Sequence, residues 1–168
     1  MIADRRTSVA FTGHRTYRGA AADALRRTVG ELYARGFRNF LSGMAVGFDL
    51  AAAEAVLELR ERAPGVRLVA AVPFRGQEMR FSPADRERFR RVLAAADHSV
   101  TLSPSYHAGC YAVRNNYLVE HAALLVAWYD GSPGGTHYTV RRALVRGLEF
   151  INLHPHSAAL RQAEPTLF

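Results

Sequence analysis

Three side chains in this sequence are candidates for chemistry on a bound sugar phosphate: Arg114 and the carboxylates Asp49 and Glu54. An arginine stays protonated and grips phosphate in a fork. A carboxylate accepts from a ribose hydroxyl or serves as acid or base. Around them, glycine-bearing turns recur where a ligand could approach backbone closely. The stretch 12-TGHR-15 offers Gly13, His14 and Arg15, and 42-SGMAVGFDLAAAEA-55 offers Ser42, Gly43, Gly47 and Asp49. Further on, 114-RNNYLVEHA-122 offers Arg114 and Asn115, and 128-WYDGSPGGTHYTVRRA-143 offers Gly134, Gly135 and Thr136. Backbone N–H groups at such strand-to-helix turns, with the helix dipole behind them, form anion sites. Each stretch also has a plainer reading. TGHR is a tight turn with an exposed arginine, Asp49 caps a helix, and Arg114–Asn115 is an exposed polar first turn. Glu54 does not share a helical face with Asp49, and its role is open. Arg75, Gln77 and Arg80 in 73-PFRGQEMRF-81 meet a base or phosphate, or simply solvate a loop.

These turns must be held by regular elements, and the apolar pattern supplies them. Strands are predicted at Ser8–Thr12, Asn39–Ser42, Arg67–Pro73, His98–Leu102, Leu124–Tyr129 and Phe150–Leu153. Helices are predicted over Ala21–Arg35, Asp49–Arg62, Ala112–Ala122 and Thr136–Arg146. Another runs to about Ala96, with Ser82 as N-cap and Pro83 at its first position. Strands alternating with helices predict a Rossmann-like α/β fold, a mostly parallel sheet with helices on both faces. Ligands in such folds sit beyond the carboxyl ends of the strands, where the glycine turns fall. One domain is expected over residues 1–168, with an irregular tail from 154 to 168.

Composition narrows the chemistry. All basic residues are arginine, so a Walker-type lysine, a Schiff-base lysine and a lysine general base are excluded. The formal charge of +7 favours anionic ligands such as nucleotides or nucleic acid. The basic run 86-RERFRR-91 is either a phosphate-contacting helix or a solvated one. No apolar run approaches the roughly 18 residues of a membrane span. The N-terminal residues lack the pattern of a signal peptide. With a lone cysteine, Cys110, these features predict a cytoplasmic protein without an internal disulfide. The histidines are scattered, and no metal site is expected; His154-Pro-His156 is the only close pair.

TGHR, SGMAVGFDLAAAEA, PFRGQE, RNNYLVEHA and the GGT loop, in this order, resemble the YpsA-like branch of the SLOG superfamily. That superfamily also holds DprA (Smf) and the LOG-type phosphoribohydrolases. The resemblance spans roughly Ser8 to Leu153. It implies a Rossmann-like sheet holding a nucleotide or nucleotide-derived ligand, and often self-association into a homo-oligomer. Carried over by position, the pocket comprises Gly13, Arg15, Ser42, Gly43, Gly47, Asp49, Arg114, Asn115, Gly134, Gly135 and Thr136. LOG-type hydrolases cleave a nucleotide's N-glycosidic bond with an arginine and the glutamate of a PGGxGTxxE loop. Here the loop reads PGGTHYT, and Thr139 stands where that acid would be. Three readings follow, in this order: a nucleotide-binding module or sensor, a phosphoribohydrolase that draws its carboxylate from Asp49, Glu54 or Glu120, and a DprA-like binder of single-stranded DNA.

Overall fold

Strand β1 (Ser8–Gly13) is almost wholly buried, and its side chains divide between two cores. Val9 and Phe11 join one apolar cluster, Ala10 the other. The same alternation holds in β2 (Asn39–Ser42), β3 (Arg67–Val72) and β5 (Leu124–Trp128). A strand covered on both faces reads as a continuous apolar run, which is why these segments stand out in the sequence. With the edge strands β4 (His98–Thr101) and β6 (Glu149–Asn152), they form one six-stranded sheet of order β4-β3-β2-β1-β5-β6. Every pairing is parallel. The computed structural model describes residues 4–155; the expected irregular tail from residue 156 onward lies outside the described residues.

Helices α1 (Ala22–Ala34), α2 (Phe48–Arg60) and α3 (Pro83–Ala95) cover one face through Leu25, Val29, Leu32, Val56, Leu59 and Phe89. Ala52 and Ala53 let α2 lie close against the sheet. Ser82 caps α3 by accepting from the Asp85 N–H at 3.2 Å, with Pro83 at the first helical position, as the sequence predicts. Helices α4 (Cys110–Glu120) and α5 (Gly135–Val145) cover the other face through Leu118, Val119, Val140 and Ala143. The fold is a Rossmann-like α/β sheet, and the expectation of a mostly parallel sheet resolves to a fully parallel one.

Two short 3₁₀ turns, Arg5–Thr7 and Gln77–Arg80, were not foreseen. They are too short to carry a periodic signal. Helix α4 begins at Cys110, two residues before its predicted start. The side chain of Asn152, the last residue of β6, continues the pairing one residue past β5, accepting from Tyr129 N–H at 3.1 Å and donating to the Tyr129 carbonyl at 3.0 Å. No helix among the described residues is long and apolar enough to cross a membrane.

Candidate functional site

Strand β1 lies between β2 and β5, and the chain leaves β1 and β5 toward opposite faces of the sheet. Such a divergence opens a crevice at the carboxyl ends of the strands. A cavity of about 370 Å³ occupies it. The end of β1 supplies Thr12, Gly13, His14 and Arg15, and the turn into α2 supplies Ala45 and Asp49. Helix α4 contributes Tyr111, Arg114 and Asn115, and the start of α5 contributes Gly135 and Thr136. Four stretches that are remote in sequence therefore meet at one point.

Asp49 and Arg114 are both only 5% exposed. The Asp49 Oδ2 accepts from Ala45 N–H at 3.4 Å, while its Oδ1 is buried without a hydrogen-bond partner. Burial pushes its carboxyl from the ordinary 3.8 up to about 6, against the pull of Arg114 and the weaker pull of Arg15. Burial also lowers Arg114, while the charge of Asp49 opposes that shift. A guanidinium nonetheless stays charged, so a buried cation and a weakened acid face each other. Arg114 is fixed in place: its Nε donates to Asn115 Oδ1 at 2.8 Å, and Nη1 donates to the Gly43 carbonyl. The exposed polar first turn that the sequence allowed is therefore replaced by two buried residues, Arg114 and Asn115, in the second turn of α4.

Ser42, Gly43 and Gly47 build the wall rather than line it. Ser42 Oγ donates to the Asp49 carbonyl at 2.9 Å and accepts from Met44 N–H at 3.2 Å. Met44 between them adopts φ 65°, a left-handed conformation seldom taken by a side-chain-bearing residue. A Cβ on Gly43 would lie 2.7 Å from Arg114 Nη1 and 2.8 Å from its Cδ, so only glycine admits the arginine here. Gly47 has φ 84°, and a Cβ there would strike the backbone carbonyls of Arg15 and His14 at 2.6 and 2.7 Å. These three residues hold Asp49 and Arg114 in register.

The loops after β1 and β5 are joined by His14, whose Nε2 lies 2.8 Å from Asp130 Oδ1 and 3.1 Å from Asp130 N. A proton on Nε2 serves the first contact, a bare Nε2 the second. Hydrogen bonds from the Ser132 hydroxyl and N–H hold Asp130 below the usual carboxylate range. At α5, Gly134 occupies the N-cap position with no side-chain cap. A Cβ on Gly135 would meet only Asn115 Nδ2, at 3.8 Å, so the start of this helix is uncrowded where it lines the cavity.

Two carboxylates fall outside this arrangement. Glu54, a sequence candidate, faces α3 and receives Arg88 at 2.5 Å, lining a separate cavity on the α1–α2–α3 face. Glu120 is exposed at the far end of α4. At the position of the hydrolase glutamate, Thr139 is fully buried and donates to the Gly135 carbonyl at 2.9 Å. Sequence reasoning missed Thr12, Ala45 and Tyr111. Tyr111 precedes Arg114 by three residues on the same helical face, but it falls before the predicted start of this helix at Ala112, so that signal was hidden.

Comparison with known proteins agrees with the fold. A UPF0398 protein of Halalkalibacterium halodurans is 31% identical over 126 residues, covering 73% of this chain and 67% of the relative. The solved structure of DNA processing protein A (DprA) from Streptococcus pneumoniae superposes with a TM-score of 0.70 at 19% identity. That match covers 95% of this chain and 57% of the pneumococcal protein, so the chain spans little more than half of it. DprA from Helicobacter pylori, described for its single-stranded DNA binding mode, gives a TM-score of 0.66 at 16% identity, covering 95% and 74%. The YspA SLOG family matches residues 10–147, which takes in the cavity-lining turns, all five α-helices and strands β2 to β5. The chain belongs to the YspA SLOG family.

Proposed function

We propose that this cavity binds a nucleotide-type ligand. The observation that carries the reading is Asp49 Oδ1, an acceptor buried at the cavity wall with no donor. A buried polar atom of this kind calls for a partner, and a ribose hydroxyl is a donor of the right size. The phosphate end belongs at the uncapped start of α5, where Gly135 leaves room and Arg15 lends charge. A thermal-shift and calorimetric panel of AMP, ADP, ADP-ribose, NAD and cyclic nucleotides tests this. Saturable binding to at least one is expected, and silence from all refutes it.

One observation favours a second reading, an N-glycosidase acting on nucleoside monophosphates. Asp49, with its carboxyl pushed up to about 6 beside Arg114, is the one carboxylate that shares the cavity with that arginine among the described residues. Free base released from AMP by the wild type and not by Asp49→Asn would place hydrolysis ahead of simple binding. DNA binding through α3 has less support, because two of that helix's four arginines are closely engaged within the protein. Arg86 donates to the Glu78 and Phe81 carbonyls, and Arg88 pairs with Glu54 and Asp85.

A further inference from the structure

Beyond the cavity, the loops after β3 and β4 bring together three aromatic rings that neither the family match nor the glycine turns explain. Phe74 is buried just past β3 at 3% exposure, whereas Tyr106 in the loop after β4 is 50% exposed. Tyr111, in the first turn of α4, lines the cavity itself. The ring centroids lie 5.5 Å apart for Phe74–Tyr106, 5.9 Å for Phe74–Tyr111 and 6.2 Å for Tyr106–Tyr111. A hydrogen bond from Arg75 N–H to the Ser103 carbonyl at 3.1 Å ties the two loops. The three rings therefore form a compact triangular cluster beside the cavity, anchored at buried Phe74 and open at Tyr106.

Arginines face the cluster. The Arg15 guanidinium sits 5.1 Å from the Tyr111 centroid, and Arg80 sits 4.3 Å from that of Tyr106 and 5.4 Å from that of Phe74. Guanidinium groups over the rings make their surroundings cationic. An aliphatic partner would gain little from such a surface. A flat, electron-rich heterocycle attached to an anion would gain from the ring faces and the positive charge together.

We infer that Tyr106, with Phe74 and Tyr111, is a stacking platform for the base of the nucleotide whose phosphate and sugar occupy the cavity. This rests on the nucleotide reading of the cavity and adds its specificity: the site selects a base-bearing phosphate over a bare sugar phosphate. Tyr106 is the exposed, outermost contact, and Tyr111 joins the base subsite to the sugar subsite.

Calorimetry of the full chain with AMP and with ribose 5-phosphate tests the inference, alongside Tyr106→Ala and Tyr106→Phe. Base–aromatic stacking predicts that AMP binds the wild type about tenfold tighter than ribose 5-phosphate. Tyr106→Ala should remove most of that advantage while leaving ribose 5-phosphate affinity unchanged, and Tyr106→Phe should keep it. Equal affinity for the two ligands in the wild type overturns the platform and leaves the cavity reading standing. So does an unaltered AMP affinity in Tyr106→Ala, or a parallel loss of both ligands, which would mark a structural role. Binding of neither ligand to the wild type overturns the platform, whereas the cavity reading falls only if the whole nucleotide panel is silent.

Discussion

Replacing Asp49 by asparagine keeps the shape of the side chain and removes its titration, which isolates the electrostatic consequence of burying this carboxyl. In the folded protein it releases its proton near 6, against 3.8 in an ordinary setting. Between those values the unfolded chain has ionised while the folded one still holds the proton. Folding therefore favours the protonated form, and stability falls as pH rises through this window. At 1.36 kcal/mol for each tenfold change, the gap amounts to about 3 kcal/mol. The wild type should thus lose about 3 kcal/mol relative to Asp49→Asn between pH 3.8 and about 6, and change little above that. For a chain of this size the loss corresponds to a relative fall in Tm of roughly 6–12 °C. Leaving Arg114 without its partner shifts the variant by an amount that is constant across the window, so only the slope of the difference matters. Urea denaturation at intervals from about pH 3.5 to 8, followed by the fluorescence of the single tryptophan, Trp128, gives that slope directly. A difference that is flat, or that rises with pH, would show that Asp49 is held as a stable carboxylate and would refute the burial argument.

Two further substitutions separate the cavity from its surroundings. Gly43→Ala places a methyl group 2.7–2.9 Å from the Arg114 guanidinium and should cost about 1–3 kcal/mol of stability in chemical denaturation, with weakened binding of any cavity ligand in calorimetry. Glu54→Gln breaks the pair with Arg88 on the other face of α2 and should cost under about 1 kcal/mol, with calorimetric ligand affinity unchanged.

Much of the fold was legible because the inner strands are buried on both faces. Asn39–Ser42 has the bounds the sequence predicts, and β1, β3, β4, β5 and β6 differ from prediction by a residue or so. Punctuation helped at α3, where Ser82 and Pro83 mark a start with a known hydrogen-bonding reason. At α4 the start was placed late because Gly109 caps it in a left-handed conformation, without a polar side chain to announce the helix. The candidate site was legible as a set of turns but not as a division of labour. Ser42 and Gly43 resemble ligand contacts in sequence, and only the fold shows that one knits the turn beneath Asp49 and the other makes room for Arg114. Glu54 was undecided for an angular reason. Five residues at 3.6 per turn carry it about 140° round the helix from Asp49, toward α3 and away from the cavity.

On the proposed reading the glycine loop before α5 holds the phosphate, but it carries no acid of its own, since Thr139 turns inward to the Gly135 carbonyl. Any carboxylate chemistry in this cavity must come from the opposite wall, through Asp49. That wall and the helix end are not independent. A phosphate resting between α5 and Arg15 would draw on the same cation that helps keep Asp49 ionised, and would add a negative charge beside it. Both effects favour the protonated carboxyl, so on the proposed reading ligand and proton bind together. Asp49 would then offer a ribose hydroxyl a donor as well as an acceptor. On that reading, phosphate capture at one end of the cavity and sugar recognition at the other would be coupled through one buried side chain.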